Sequence, residues 1–393
     1  MILKLKTFDA LSFVDRVLVS EICPQLGHRM DNQRLHCKTY LSDEGYGHIV
    51  RQRAVIEELR KLNTNLEFSV QTHRHLDAVK KLIPNIKPVD KYNNITWHKQ
   101  VNGSPDLTKI KEQFGTYIED SQAYVDEELK LEVPDFVISD FVYEAFEVAH
   151  QHNIPSFGVA HFTWDWFFCK LYPPPIDSKV IYRFLEMAGK ARKLFFPPFT
   201  PEEILSHYKS KAVEVPLILR SHIDHKLSES NGRFKVMIID SGAGVLKRAV
   251  SAALESVHEL KDFQFFVNSA FETNQENVSF IPKDDLMVDY INDMDLVIGR
   301  AGFNTISECI GLRTPMLLLG EAMNPEMNEN ILNLKKAHLG TFIGLKTFMH
   351  DLGKFLPTFL QHEYKFIAQE LKNHEFETNG ASVIAKTIYE DIK

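Results

Sequence analysis

DLVIGRAGFNTISECIGLRT, residues 295–314, compresses three elements into a single short stretch. The apolar run Leu296 to Ile298 reads as a buried strand. Gly299-Arg300-Ala301-Gly302 reads as a tight turn. A helix-like segment follows at once, opened by Asn304 and Thr305 and carrying Glu308. A strand feeding a helix through a glycine turn aims several backbone N–H groups, and the positive end of the helix dipole, at one point, which suits a phosphate. Arg300 adds a positive charge beside that point. Glu308, one turn into the helix, is spaced to hold a pair of ribose hydroxyls. The plainer reading is a strand-to-helix turn that needs glycine for backbone geometry alone, and the segment by itself does not separate the two.

Outward from this stretch the same unit recurs. Phe234 to Asp240 is a strand ending in Ser241-Gly242-Ala243-Gly244, with Val245 to Glu259 as its helix. Phe263–Asn268, Val278–Phe280, Pro315–Leu319 and Gly340–Ile343 extend the strand series. An earlier series runs through Leu35–Leu41, Leu66–Thr72, Asp135–Ser139 and Ser156–Ala160. Its helices are Val50–Leu62, His75–Leu82, Glu144–His152 and a long polar one at Thr108–Leu131, with Phe114, Ile118 and Tyr124 as core candidates. Short apolar strands alternating with helices predict parallel sheets covered on both faces. Two such series predict an α/β chain of two Rossmann-like domains. We place an amino-terminal extension at 1–34, the first domain at 35–218 and the second at 219–393. The boundary lies in VPLILR and the polar SHIDHKLSESNG that follows. Pro173–Pro175 and Pro197-Pro198 mark irregular loops at the mouth of the cleft.

Composition narrows the class. Of 393 residues, 44% are hydrophobic and 25% charged, as in a soluble globular protein with room for two cores. A net charge of −8 argues against a broad basic nucleic-acid surface. No apolar run reaches the roughly 18 residues of a membrane span, and the amino terminus lacks a signal-peptide core. Cys23, Cys37, Cys169 and Cys309 are too dispersed for a metal site and read as free cytosolic thiols, so we expect a cytoplasmic protein. Asp293-Met294-Asp295 has the DxD form of some metal-dependent transferases. It straddles a helix end and a strand start, so no metal is expected.

Three clusters at strand ends are candidates for chemistry. Gly45, Gly47 and His48 follow the first core strand in DEGYGH, at the carboxyl edge of the sheet, where open α/β folds bind ligands. An imidazole there can accept a proton at neutral pH; the alternative is a histidine that caps a helix start. Asp140 closes the strand FVIS. It reads either as a helix cap or as the acid that orients His48, the logic of a base and its orienter. His161, Trp164, Asp165 and Trp166 cluster after the next strand, where indole faces suit sugars or simply pack. Phe167-Phe168 and Phe195-Phe196 either present an apolar patch to a membrane or partner, or lie buried.

Together these motifs resemble the GT-B class of nucleotide-sugar glycosyltransferases, which includes the UDP-glycosyltransferases and the transferase that adds N-acetylglucosamine in peptidoglycan synthesis. The resemblance spans roughly residues 35 to 350. GYGH is similar to the glycine-histidine turn of the acceptor domain, and PDFVISD to the strand carrying the partner aspartate. SGAG stands at the phosphate turn of the second domain, GRAGFNTISE at the donor signature and PEMNEN at the sugar contact. SDFVYEA, FTWDW and VPLILR also resemble the amino-terminal region of plant L-arabinokinase, itself a GT-B-like module.

The resemblance implies two Rossmann-like domains with parallel sheets facing a central cleft, and an inverting, metal-independent transfer from a nucleotide-diphosphate sugar, expected to be a UDP-sugar substrate, with no cofactor. It implies His48 as base and Asp140 as orienter. It assigns Gly242, Gly244, Arg300, Gly302, Asn304, Thr305, Glu308 and Glu326 to the donor, and Gly45, Gly47, His161, Trp164 and Asp165 to the acceptor side. The last helix, Val383 to Ile392, is expected to cross back to the first domain. A nucleotide-sugar epimerase or hydrolase, or a non-catalytic binding module, remains open on the same fold. The sugar, the acceptor and the oligomeric state are not set by the sequence.

Overall fold

The computed structural model describes residues 34–100, 104–220, 232–239, 246–268, 271, 273–282, 287–321 and 323–393. The extension at 1–33, the linker at 221–231 and the SGAG turn with Gly242 and Gly244 therefore lie outside the described residues.

Among the described residues thirteen short strands form two sheets. The first contains β1 (Leu35–Tyr40), β2 (Leu66–Thr72), β3 (Lys87–Asp90), β4 (Phe136–Ser139), β5 (Ser156–Val159), β6 (Lys193–Phe196) and β7 (Ala212–Glu214). The second contains β8 (Phe234–Ile239), β9 (Phe263–Asn268), β10 (Val278–Ile281), β11 (Leu296–Arg300), β12 (Met316–Leu319) and β13 (Thr341–Ile343). Every pairing is parallel, for example Tyr40 opposite Ser139 and Gly299 opposite Ile239. The orders are β3-β2-β1-β4-β5-β6-β7 and β10-β9-β8-β11-β12-β13. Strand order thus reverses between β1 and β4 in the first sheet and between β8 and β11 in the second. A doubly wound sheet opens a crevice at the carboxyl ends of such a strand pair. His48 and Asp140 follow β1 and β4, and Gly302 follows β11, so the topology alone brings them to the two switch points.

Burial explains the sequence patterns. FVIS and MLLL are buried at every position, as parallel strands covered on both faces require. The second domain has one apolar core, built from β8 to β12 and the helices over them. The terminal helix, Gly380–Ile392, belongs to the other domain's core. Ala381, Ile384, Ala385 and Ile388 pack with Ile49, Val55 and Ile56, and Asp391 pairs with Lys193 at 2.8 Å. The chain thus crosses twice between the two domains.

Some expectations need correction. Ile118 is 39% exposed, whereas Ile110, Phe114, Tyr117 and Tyr124 are buried; the buried stripe of the helix Leu107–Glu128 runs one residue to the side of Ile118. The proline clusters themselves lie outside helix and strand, and the sequence left the segment between them unassigned. That segment holds an amphipathic helix, Ser178–Gly189, that buries Val180, Phe184, Met187 and Ala188, and it ends in β6. Phe167, Phe168, Phe195 and Phe196 are at most 2% exposed, so they supply no apolar patch for a membrane. Among the described residues no helix is long and apolar enough to cross a membrane.

Candidate active site at the domain cleft

The first site element is the start of the helix Tyr46–Leu62, which opens directly after β1. Gly45 is its N-cap, and no side chain caps it. A helix without a side-chain cap leaves early N–H groups open to another partner. His48 lies within the first turn. Its Nδ1 is hydrogen-bonded to Oδ2 of Asp140. A carboxylate only accepts, so Nδ1 carries the proton and Nε2 keeps its lone pair. The imidazole side chain is 13% exposed, Asp140 only 1%. Phe141, next to Asp140, has a left-handed φ of 51° although it is not glycine. Such a backbone is strained unless its surroundings hold it. Here the buried Phe141 ring does so, against Tyr143, Phe146 and Phe196. The sharp turn leaves Asp140 at the sheet edge, toward His48.

Arg51, one turn after His48, was missed in the sequence reading. Its Nη2 donates to Oδ1 of Asp140 and its Nη1 lies 3.1 Å from Nδ1 of His161. Burial works to raise the Asp140 carboxyl, but the Arg51 charge, then His48 and the hydrogen bonds from both, hold it at about 2. Asp140 is therefore ionised at any ordinary pH. The signal was available, since i and i+3 share a helix face.

His161, after β5, stands at the centre of the cleft. Guanidinium is a donor only, so His161 accepts at Nδ1 and carries its proton on Nε2. Nε2 donates to Oε1 of Glu326 at 2.8 Å, across the cleft. Burial, more than any neighbouring charge, lowers the His161 pKa and keeps the ring neutral. The ring also stacks on Phe303 of the second domain, with centroids 4.4 Å apart and planes 14° apart. Trp164 and Asp165 are not acceptor-side residues. Trp164 is buried against Phe162, Phe167 and Phe168. Asp165 is 3% exposed and accepts from the hydroxyls of Tyr143 at 2.6 Å and Tyr208 at 2.9 Å. Both serve the aromatic core of the first domain. Asp43, one of the two acids before the glycine turn, is likewise structural: it accepts from Thr72 Oγ1 at 2.5 Å and the His73 amide at 2.9 Å.

The second domain presents the helix Phe303–Gly311. Its N-cap is Gly302, which offers no side chain, and the Glu326 carboxylate takes up the Phe303 amide at this helix start. Gly302 has φ −77° and ψ 138°, which any residue adopts, so local geometry does not require glycine there. A Cβ at Gly302 would meet nothing within 4 Å, and the same holds at Gly45. The two helix starts meet head to head: Asn304 Nδ2 donates to the Gly47 carbonyl at 2.6 Å. Asn304, expected at the donor, is thus committed to the domain contact. Thr305 is half-buried in the first turn.

Two further assignments differ in detail from expectation. Arg300 is not an unopposed charge. It donates to Glu321 Oε2 at 2.5 Å, while Lys99 of the first domain reaches Glu321 Oε1 at 2.6 Å. Sequence gave no hint of Lys99, which comes from a loop far along the chain; Glu321 sits at the carboxyl end of β12 and was legible by position. Glu308 is 3% exposed and accepts from Arg220 Nε at 3.2 Å, while Arg220 Nη2 holds Asp289 at 2.7 Å. Glu308 Oε2 is buried without a hydrogen-bond partner. Burial outweighs Arg220 and raises the Glu308 carboxyl to about 7. The DxD acids lie at the opposite sheet edge: Asp295 accepts from the Lys235 amide at 2.8 Å and Asp293 from Lys235 Nζ at 3.0 Å. Among the described residues no group of three or more His, Cys, Asp or Glu could hold a metal.

Known proteins share both parts of this architecture. Residues 244–388 match the glycosyltransferase family 28 C-terminal domain. The UDP-N-acetylglucosamine–N-acetylmuramyl-(pentapeptide) pyrophosphoryl-undecaprenol N-acetylglucosamine transferase of Thermosipho melanesiensis is 24% identical over 164 residues, 40% of this chain and 47% of that protein. The match thus spans about half the length of that relative. The solved glycotransferase of kitacinnamycin superposes with a TM-score of 0.64 at 15% identity, over 92% of this chain and all of its own. The spinosyn rhamnosyltransferase SpnG complexed with thymidine diphosphate gives 0.61 at 12%, over 90% and 100%. At these identities the structural likeness is one of fold. Two parallel-sheet domains facing a cleft give the chain the GT-B fold of these glycosyltransferases, and its second domain is similar to the family 28 C-terminal domain.

Proposed function

We propose that this protein is an inverting glycosyltransferase that moves a sugar from a nucleoside diphosphate to an acceptor hydroxyl. The observation that carries the reading is the meeting of a His–Asp pair with two glycine-led helix starts at one point between the domains. His48 Nε2 takes the proton from the acceptor hydroxyl, and Asp140 holds the ring and stabilises the imidazolium that forms. The acceptor oxygen attacks the anomeric carbon from the face opposite the diphosphate. A single displacement of this kind inverts that carbon.

The leaving diphosphate gathers charge at the start of the Gly302 helix, beside the Phe303 amide that Glu326 engages in its absence. The helix N–H groups and dipole stabilise that charge without a metal. Arg300 adds a cation once it turns from Glu321. On the same reading Glu308 binds the nucleotide sugar's ribose through its unpartnered oxygen, and Glu326 a sugar hydroxyl. The open space at Gly302 lets a phosphate approach the backbone. UDP is the expected carrier and the cytoplasm the expected compartment.

The test is a panel of nucleotide sugars read by thermal unfolding and by release of nucleoside diphosphate with and without acceptor alcohols. At about 100 times its Kd the true donor raises stability by roughly 2.7 kcal/mol, and diphosphate release depends on acceptor. Full-rate release without any acceptor would replace the transferase by a hydrolase. Binding with no turnover under any acceptor would leave only a binding module.

A further inference from the structure

Arg51 has a place that packing alone does not account for. The residue is 3% exposed, and its Nε is buried with no hydrogen-bond partner. A buried donor left unmatched costs free energy, whereas an apolar side chain of similar length would incur no such cost. Its other two nitrogens are both engaged in the cleft. Nη2 donates to Asp140 Oδ1 and lies 3.2 Å from His48 Nδ1. Nη1 reaches His161 Nδ1 at 3.1 Å, and His161 Nε2 reaches Glu326 of the second domain at 2.8 Å. The planar fork of a guanidinium spans Asp140 and His161 at once; a lysine ammonium is a point charge and has no such fork.

We infer that Arg51 and His161 are positioning residues: Arg51 clamps Asp140 and His161 in one fork, and His161 carries the restraint across the cleft to Glu326, so that the His48–Asp140 pair is aligned when the two domains close. This deepens the transferase reading and rests on it for its catalytic consequence. The arrangement itself is a statement about side chains and is testable without turnover.

The chain of donors has one direction. Glu326 accepts the Nε2 proton of His161. That fixes Nδ1 as an acceptor, which only a donor such as Arg51 satisfies. Arg51 in turn supplies one of the partners of Asp140, and His48 the other. Loss of Arg51 removes a cation from beside the base and frees Asp140 to rotate. The charges around His48 are then Asp140, Glu44 and Glu326 with the imidazoles of His75 and His161. Removing Arg51 from this set takes a positive charge from beside the ring, and an imidazolium there meets less repulsion. The acid limb of the rate profile therefore moves to higher pH.

Two measurements test the inference on the full chain. The first is the 15N–1H spectrum of the histidine side chains in wild type, Arg51→Met and Arg51→Lys, with His161 assigned from His161→Gln. Wild type shows His161 as a fixed Nε2–H tautomer. Arg51→Met keeps the Nε2 proton, which Glu326 holds, but loses the hydrogen bond to Nδ1, and the Nδ1 resonance moves to that of an unbonded acceptor. Arg51→Lys loses that hydrogen bond too, because a single ammonium stays with Asp140. If Arg51→Met does not fold, Arg51→Lys decides: an unchanged His161 signal in it overturns the inference. The second is the pH dependence of kcat and KM for whichever donor turns over. Arg51→Met lowers kcat about tenfold or more and moves the acid limb up by about half a pH unit or more. Its donor KM stays within about threefold, and Arg51→Lys restores the limb but not the full kcat. An unmoved limb with a folded Arg51→Met protein overturns the positioning role. No turnover by wild type with any donor would defeat the transferase reading instead, and the His161 spectra would still decide the arrangement.

Discussion

Asp140 and Glu308 are both buried carboxylates, and their partners drive them in opposite directions. Asp140 faces Arg51 and His48, which hold it at about 2; its contribution to stability is present above the unfolded value of roughly 4 and is lost as pH falls toward about 2. Glu308 has Arg220 at one oxygen and nothing at the other, and burial raises it to about 7. A raised acid binds its proton more tightly in the fold, so stability from this group is present below the unfolded value of roughly 4.3 and falls as pH rises through about 7. Wild type should therefore lose on the order of 3 kcal/mol between about pH 5 and pH 8 relative to Glu308→Gln, measured by urea unfolding. A constant difference between the two proteins across that range would show that Glu308 does not titrate in the fold. At this scale the sequence was partly legible. His48 and Asp140 could be placed because each ends or follows a strand, and the paired contact agrees with that placement. Arg51 could have been found from its i+3 spacing. Arg220 and Lys99 could not, since the contacts that engage them, to Glu308 and Glu321, come from distant parts of the chain.

The strand-turn-helix element is legible where its pattern is strong. LVIGR is buried at four of its five positions, and the helix starts at Phe303, one residue after Gly302. Elements went unread where the signal was short. β3 (KPVD), β6 (KLFF) and β7 (AVE) have four residues or fewer and flank charged or proline residues. They are strands because a growing sheet edge recruits them, a tertiary effect that local propensity does not carry. Trp164 and Asp165 were misplaced for a related reason. A dense aromatic cluster has the same composition whether it faces a ligand or a core, and only the contacts to Tyr143, Tyr208 and Phe168 decide. Gly302 separates geometry from function more cleanly. Its φ and ψ suit any residue, and the space beyond its missing Cβ is empty. Gly302→Val should therefore fold, with a melting temperature near that of wild type. It should weaken binding of the nucleoside diphosphate about tenfold or more, because the added methyls occupy the approach to the helix N–H groups. Unchanged affinity by calorimetry in a folded variant would remove the phosphate from this turn.

At the scale of the whole molecule, the division of labour between two domains makes the strongest prediction. The His48–Asp140 pair belongs to the first sheet, whereas the Gly302 turn and Glu308 belong to the second. The domains touch through Asn304 and Gly47, His161 and Glu326, and Lys99 and Glu321, and the terminal helix ties them again on the far side. Chemistry and donor binding should therefore separate under mutation. Chelation should leave turnover intact, since the proposed charge stabilisation comes from helix N–H groups and Arg300; loss with EDTA and rescue by magnesium would contradict it. His48→Ala should lower kcat about 10²- to 10⁴-fold, the usual worth of a positioned general base, with donor Kd close to wild type. Asp140→Asn should lower kcat less, because Arg51 still holds the site while the imidazole loses its anionic partner. It should also destabilise the fold by about 3 to 5 kcal/mol, since the buried guanidinium of Arg51 loses its countercharge. The double variant should transfer hardly more slowly than His48→Ala alone, since an orienter without its base has nothing left to orient. Kinetic losses that add on a logarithmic scale would mean that Asp140 acts independently of His48. Near-normal kcat in His48→Ala would leave the base unassigned, and His161, whose two ring nitrogens are already engaged, could take that role only by giving up Arg51 or Glu326.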